Sequence, residues 1–341
     1  MPPRPVPGPA GPDPTVPIHF AHRLLLIGQR RGIDVRPVLR DAGIPADVAA
    51  NPRARITAQQ MVRVTRELWR LTDDELFGSG PPVPRGTFQM LGLTLVHAPD
   101  LRSALERLVN GSRVVAGVPR VTVEYGRSLT VLEIDTGGLD DPERLVTEWT
   151  VALGHRLLGW LVGSRIVLRS LELPYPAPPH AADYVSIYGR PPVFAAPRTA
   201  FAFDSGLLDA PVVRGEADLT DYIGRAPADF YAVRDYGSTT ADRVRSILEH
   251  GLGGAWPTAA EIAARLAVSP QHLRRLLHDE GTSVTRIREE ILRDAAVTSL
   301  VRGEEGIDEL AARLGFSEAS AFRRAFRRWT GSPPGAYRGT G

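Results

Sequence analysis

Glu261-Ile-Ala-Ala-Arg-Leu-Ala-Val-Ser269 returns 48 residues later as Glu309-Leu-Ala-Ala-Arg-Leu-Gly-Phe-Ser317, and each copy runs straight into an arginine-rich segment of helical periodicity. The repeat predicts two helix-turn-helix units in tandem. In the first, Thr258 and Glu261 have the T-x-x-E spacing of a capping box, which starts a helix ending near Ala267. Ser269 is placed to cap a second helix. On that helix Leu273, Leu276 and Leu277 share one face, so Gln271, Arg274, Arg275 and His278 point the other way. Glutamine and arginine there match the donors and acceptors that read adenine and guanine in a major groove.

In the second unit Ile307 and Leu310 begin the supporting helix, and Gly315-Phe316 makes the turn before Ser317. The next helix buries Phe322, Ala325, Phe326 and Trp329, which sends Ser320, Arg323, Arg324 and Arg327 outward. Early positions of such a helix meet bases and later ones phosphates, so Ser320, Arg323 and Arg324 are assigned to bases, as Gln271, Arg274 and Arg275 are to DNA contact in the first unit. Arg327 and Arg328 are assigned to the nucleic-acid backbone. His278, near its helix end, reads as a phosphate neighbour or surface residue. Gly331 suits a left-handed helix end and Pro333-Pro334 prevents continuation. After the two serines the offset between the copies moves from 48 to 49, aligning Leu273 with Phe322 and Arg274-Arg275 with Arg323-Arg324. The exposed chemistry therefore differs, Gln/Arg/Arg against Ser/Arg/Arg, and predicts two unlike half-sites. Between the units, Ser283 to about Arg302 reads as one helix of about 30 Å, close to the roughly 34 Å between successive major-groove faces.

Composition bounds the rest. A chain of 341 residues with 43% hydrophobic residues can bury more than one core. The net charge is only +2, yet all 41 basic residues are arginine, the side chain that makes forked contacts to guanine and phosphate. With no cysteine, disulfides, thiolate metal sites and cysteine nucleophiles are excluded. Met1 to Pro17 holds eight prolines and reads as a disordered tail, with no signal-peptide core and no apolar run of membrane-spanning length anywhere. A cytoplasmic protein that does not engage membranes is expected.

Residues 18–236 read as an α+β domain and 237–341 as an all-α domain. Helices are expected over Ile18–Gly32, Val35–Ala42, from Thr57 through the stripe Met61, Val64, Leu68 and Leu71, and over Leu101–Val109. A turn is expected at Gly43-Ile-Pro45. Arg120–Tyr125 and Leu129–Asp135 alternate around Gly126 as a hairpin. Asp141-Pro-Glu opens a long helix to about Val162 with Pro142 in its first turn. Arg165–Leu173 and Ala200–Phe203 are further strands. Gly251-Leu-Gly-Gly254 is a loop, since no lysine follows to make it a phosphate loop.

These motifs resemble those of the AraC/XylS family of transcriptional regulators. Ile307-Asp-Glu-Leu-Ala-Ala-Arg-Leu-Gly-Phe316, Phe322 with Phe326, and Gly331-Ser-Pro-Pro-Gly-Ala-Tyr-Arg338 follow the family's I-x-x-[IL]-A-x-x-x-G-F, F-x-x-x-F and G-x-x-P-x-x-Y-R pattern, and Arg293 matches its linker arginine. Val297 departs from the usual alanine, and Gly281–Arg293 is one residue longer than the family's segment. Further upstream, Asn51-Pro-Arg-Ala-Arg-Ile-Thr57, Gly86-Thr-Phe-Gln-Met-Leu-Gly92 with Leu101–Leu108, and Tyr184–Phe194 are similar to the arabinose-binding-type sensor domain of one branch. The resemblance implies a bacterial regulator, with activation favoured, acting on double-stranded promoter DNA. It also implies a small-molecule effector, a lipid-like or aromatic acid by analogy, with RNA polymerase and a second copy of the chain as further candidate partners.

Phe88, Met90, Glu148, Trp149 and His155 are the candidate effector contacts, against the alternative that they are core residues of a helix packed on a sheet. No metal ligand set is recognisable around His19, His22, His97 or His155, and no cofactor is expected. A fused enzyme is the rival class; the alkyl-transfer and amidase-like chemistries it would use need a cysteine. A third reading makes the N-terminal domain a dimerisation module without a ligand.

Overall fold

The computed structural model describes residues 15–179, 181, 184–225, 239–249 and 256–338. Along the chain run β1 (Thr15–Pro17), α1 (Ile18–Arg30), α2 (Arg36–Asp41), α3 (Ala46–Ala50), β2 (Arg55–Thr57), α4 (Ala58–Thr72), α5 (Thr87–Val96), α6 (Leu101–Val114), β3 (Val121–Tyr125) and β4 (Leu129–Ile134). There follow α7 (Leu145–Leu161), β5 (Ser170–Glu172), α8 (Tyr184–Tyr188), β6 (Ala200–Asp204) and α9 (Glu216–Arg225). The remainder is helical: α10 (Thr240–Glu249), α11 (Ala259–Arg265), α12 (Pro270–Asp279), α13 (Val284–Arg302), α14 (Ile307–Arg313) and α15 (Ala319–Thr330), with a closing 3₁₀ turn at Pro334–Tyr337. An α+β part followed by an all-α part is thus the observed class. Residues 1–14, the expected domain boundary at 236–238 and the loop at 251–254 lie outside the described residues.

The described chain forms two compact units: residues 15–19, 39–60 and 239–338 make one, and residues 20–38 and 61–225 make the other. The division is not the linear one read from the sequence, because two N-terminal stretches lie with the helical C-terminal part. Thr15–Pro17, expected to close a disordered tail, is instead strand β1, paired antiparallel with β2 in the register Val16 to Ile56. Val16 and Ile56 are both buried, and that burial offsets the entropy of ordering the strand.

In the second unit a four-stranded antiparallel sheet has the order β3-β4-β6-β5. Its apolar residues Leu132, Ile134, Phe201 and Phe203 share a core with Val151, Leu158 and Leu161 of α7 and with Leu101 and Leu105 of α6. The α7 helix starts later than expected, at Leu145. Pro142 stays outside it: the Asp141 carboxylate accepts from the backbone N–H groups of Val146 and Thr147 at 3.2 and 2.8 Å and so caps the helix from further back. The strand expected over 165–173 shortens to Ser170–Glu172, since the carbonyls of Ile166 and Leu168 accept from side chains of His155 and Arg190 rather than from a neighbouring strand. A short helix, α3, follows Pro45, where only a turn was expected.

In the first unit Val244, Leu248, Ile262, Ala263, Leu273, Leu277, Ile287 and Ile291 form one core. The capping box at Thr258 and Glu261 is present, and Ser269 caps α12 through the His272 N–H. The α13 helix spans 19 residues and packs on α10, α14, α15, both short strands and the 3₁₀ turn. Val297, the departure from the family alanine, is fully buried in it.

Candidate nucleic-acid interface and ligand cavity

The α12 and α15 helices carry the amphipathic pattern that their sequences specify. On α12, Leu273 and Leu277 are buried and Leu276 half-buried, whereas Gln271, Arg274, Arg275 and His278 are exposed. On α15, Phe322, Ala325 and Phe326 are buried and Trp329 half-buried, whereas Ser320, Arg323, Arg324, Arg327 and Arg328 are exposed. Aromatic packing fixes the second helix: Phe322 lies 5.5 Å from Phe316, and Phe326 meets Tyr337 edge-on at 5.2 Å between centroids. Glu318 takes its N-cap position.

Several of the exposed arginines are held by weak surface pairs. Arg323 bonds Asp308 of α14 at 3.2 Å, Arg328 bonds Glu289 of α13 at 2.6 Å, and Arg275 lies 3.0 Å from His272 Nδ1. Such exposed pairs contribute about 0–1 kcal/mol each, which a phosphate or a guanine edge can replace. Arg274, Arg324 and Arg327 carry no ion pair among the described residues.

The turns joining the helices are superimposable in hydrogen bonding. Ala267 and Gly315 occupy equivalent positions of the repeat, with φ of 55° and 83°. The N–H of each bonds the carbonyl three residues back, and the next N–H bonds the carbonyl five back: Val268 to Ala263 at 3.0 Å, Phe316 to Ala311 at 2.9 Å.

The second unit contains a cavity of about 590 Å³. Its walls come from α4 (Arg66, Trp69), α5 (Phe88, Leu91, Leu95), α7 (Trp149, Leu153, Leu157), strands β3 and β4 (Val121, Leu132, Ile134) and α9 (Leu219, Tyr222). Trp149 meets Trp69, Phe77 and Phe88 at centroid distances of 5.6, 5.4 and 6.2 Å, so an aromatic cluster forms one side. Charged groups in the lining are Arg66, Arg85, Asp73 and Glu75. The Glu75 carboxylate accepts from the N–H groups of Gly86 and Phe88 at 2.6 and 2.8 Å; burial nonetheless holds its pKa above the usual carboxylate value.

Of the effector contacts expected from sequence, Phe88 and Trp149 line this cavity and the other three lie elsewhere. Met90 sits on the outer face of α5, 49% exposed. Glu148 turns its carboxylate to Arg23, Tyr175 and Tyr184. His155 is buried with Nε2 donating to the Ile166 carbonyl at 2.7 Å, and burial, with Arg156 and Arg165 nearby, lowers its pKa to about 4. Sequence reading missed Trp69, whose signal is a large aromatic one position out of phase with the apolar stripe of α4. It also missed Leu153 and Tyr222, which nothing local distinguishes from core. Among the described residues no group of three or more His, Cys, Asp or Glu could hold a metal ion, and no helix is long and apolar enough to cross a membrane.

Comparison with known proteins places both parts. Residues 32–212 match the family described as the arabinose-binding domain of AraC transcription regulator, N-terminal, and residues 262–340 match a helix-turn-helix domain family. The chain is 24% identical to the ornithine utilization regulator of Pseudomonas aeruginosa over 95% of its own length and 96% of the relative's. It is 26% identical to an uncharacterized HTH-type transcriptional regulator of Mycobacterium tuberculosis, over 94% of this chain and 95% of that one. Among solved structures it is similar to the transcriptional regulator CdpR from Pseudomonas aeruginosa, at 21% identity, 94% and 98% coverage and a TM-score of 0.33.

Proposed function

The chain belongs to the AraC family of transcription regulators, and from that premise we propose that it reads two adjacent major grooves with α12 and α15 under the control of a small acid with an apolar body. It is a DNA-binding regulator and not an enzyme. The observation that carries the reading is the pair of exposed faces, Gln271, Arg274 and Arg275 on one helix and Ser320, Arg323 and Arg324 on the other, joined through a single 19-residue helix of about 28 Å. Arg327 and Arg328, one turn further along α15, serve phosphates.

The cavity walls support a ligand with an aliphatic or aromatic body, bound against Phe88, Trp69 and Trp149. Arg66 and Arg85 in the lining support an acidic head group. Coupling is supported by chain connectivity: β2 passes directly into α4, and about two to three turns later α4 supplies Arg66 and Trp69 to the cavity wall. A ligand that shifts α4 thereby acts on the segment before it. Activation through RNA polymerase, by a homodimer, completes the reading and is supported by the family resemblance.

The test is a thermal-shift screen of the full chain with aliphatic and aromatic carboxylic acids beside neutral sugars, repeated with duplexes selected from a randomised pool. Stabilisation by an acid, and a changed duplex affinity in its presence, is the expected result. A response to sugars alone, or to no acid, removes the ligand class; a footprint confined to one groove removes the two-groove reading.

A further inference from the structure

The two recognition helices end in different ways. The last carbonyls of any α-helix lack intrahelical partners and must find others. At the end of α12 the chain supplies its own: Glu280 N–H bonds Leu276, Gly281 N–H bonds His278 and Thr282 N–H bonds Leu277, at 3.1, 2.9 and 2.8 Å. At the end of α15 one of these carbonyls finds a local backbone donor, Gly331 N–H to the Arg327 carbonyl at 2.8 Å, while the Thr330 hydroxyl donates to the Phe326 carbonyl at 2.9 Å. Others come from the far side of the sequence. Asn51 Nδ2 donates to the Thr330 carbonyl at 3.1 Å and to Ser332 Oγ at 2.5 Å, and Arg53 Nη2 donates to the Arg328 carbonyl at 2.8 Å.

The fit at this point is close. Gly331 has φ +75°, and a Cβ there would come within 3.0 to 3.2 Å of Asn51 and the Arg53 Cβ. Asn51 is itself held by a turn in which its Oδ1 accepts the Arg53 N–H at 3.0 Å. Two residues on, the Arg55 N–H donates to the Tyr337 hydroxyl at 3.0 Å, and the Tyr337 ring packs on Phe326 in the middle of α15. The guanidinium of Arg53 also places positive charge at the negative end of the helix dipole.

We propose that Asn51 and Arg53 are positioning residues for DNA reading, which set the angle of the second recognition helix and not of the first. The inference rests on the two-groove reading. Neither residue touches DNA in this account; each acts by fixing the final turn of α15, the turn that carries Arg327 and Arg328.

Full-length wild type and the variants Asn51→Asp, Arg53→Ala and Arg53→Lys are footprinted on duplexes selected from a randomised pool by the wild type, the half-site of the second unit being identified by the altered base preference of Arg323→Ala. Asn51→Asp keeps the shape and the local bond to the Arg53 N–H and loses the donation to Thr330, so it separates positioning from turn formation. Expected are loss of protection over the second half-site in Asn51→Asp and Arg53→Ala, retained protection over the first, and affinity roughly tenfold weaker. Lysine at position 53 restores it. Wild-type footprints in both loss variants, or parallel loss at both half-sites, overturn the proposal. A wild-type footprint of a single groove overturns the reading beneath it, before any variant is compared.

Discussion

Arg23 grips Glu148 through two parallel hydrogen bonds, Nη1 to Oε2 and Nη2 to Oε1, both at 2.7 Å and both buried. Around the pair, the Tyr175 hydroxyl donates to Oε1 at 3.0 Å, the Tyr184 hydroxyl donates to the same oxygen, and the Tyr188 hydroxyl donates to the Glu148 carbonyl at 2.8 Å. Burial and the adjacent carboxylate push both Tyr175 and Tyr184 above the ordinary phenol value, so they remain donors. Glu148→Ala removes the carboxylate that neutralises the buried Arg23 guanidinium, which keeps its bonds to the Glu143 carbonyl, and is expected to cost roughly 3–5 kcal/mol. The double variant Arg23→Met with Glu148→Leu recovers part of that loss. Urea unfolding followed by tryptophan fluorescence measures both, and an unchanged midpoint for Glu148→Ala refutes the structural role.

His155 gives a pH dependence whose sign follows from its burial. Its folded pKa is lowered to about 4 from 6.5, so between these values the unfolded chain binds more protons. Stability rises with pH through that window and is fully present above it; acidification from 6.5 to 4 removes roughly 3 kcal/mol. His155→Gln, which retains a donor for the Ile166 carbonyl, should flatten the dependence attributable to this position. Unfolding midpoints at several pH values would show an equal slope in both proteins if the assignment is wrong.

The turns of the two helix-turn-helix units offer a matched pair of substitutions. Ala267 holds a left-handed conformation that costs a side-chain-bearing residue roughly 1–2 kcal/mol. Ala267→Gly removes that strain while loosening the unfolded chain, for a net stabilisation of about 0.5–1 kcal/mol. Gly315→Ala meets no atom within 4 Å, so its strain of about 1–2 kcal/mol reflects φ alone, and the stiffer unfolded chain reduces it to a net loss of about 0.5–1 kcal/mol. Opposite signs in thermal unfolding are the expected result, and matching signs contradict it.

Arg274→Ala and Arg323→Ala are each expected to relax base preference at one position, at a cost of about 1–3 kcal/mol. Arg327→Ala weakens binding to all sequences alike and lowers the salt slope by about one. Salt-controlled binding to single-base variants of a selected duplex separates the two behaviours. Preference unchanged in both of the first two variants removes the assignment to bases.

Much of the DNA-reading region was legible because its signals are local. The capping box at Thr258, the serine cap of α12, the turn at Gly315 and the 3.6-residue spacing of Leu273 with Leu277 and of Phe322 with Phe326 depend on residues within a few positions of one another. The start of α7 was not legible, because the carboxylate of Asp141 competes with Pro142 to define it. The cavity was half legible: Phe88 and Trp149 stand out as aromatics, whereas Leu153 and Tyr222 acquire a role only when α7 and α9 face the same space.

By itself the sequence determined the helices, their exposed arginine faces and the duplicated reader, since hydrophobic periodicity and capping act along a single segment. Only the tertiary structure decided that residues 39–60 lie in one compact unit with the DNA-reading helices, and that Asn51 and Arg53 complete the end of α15. The reason is physical. The orphan carbonyls at a helix end accept any correctly aimed donor, whatever its distance along the chain, so no spacing rule marks the partner in advance.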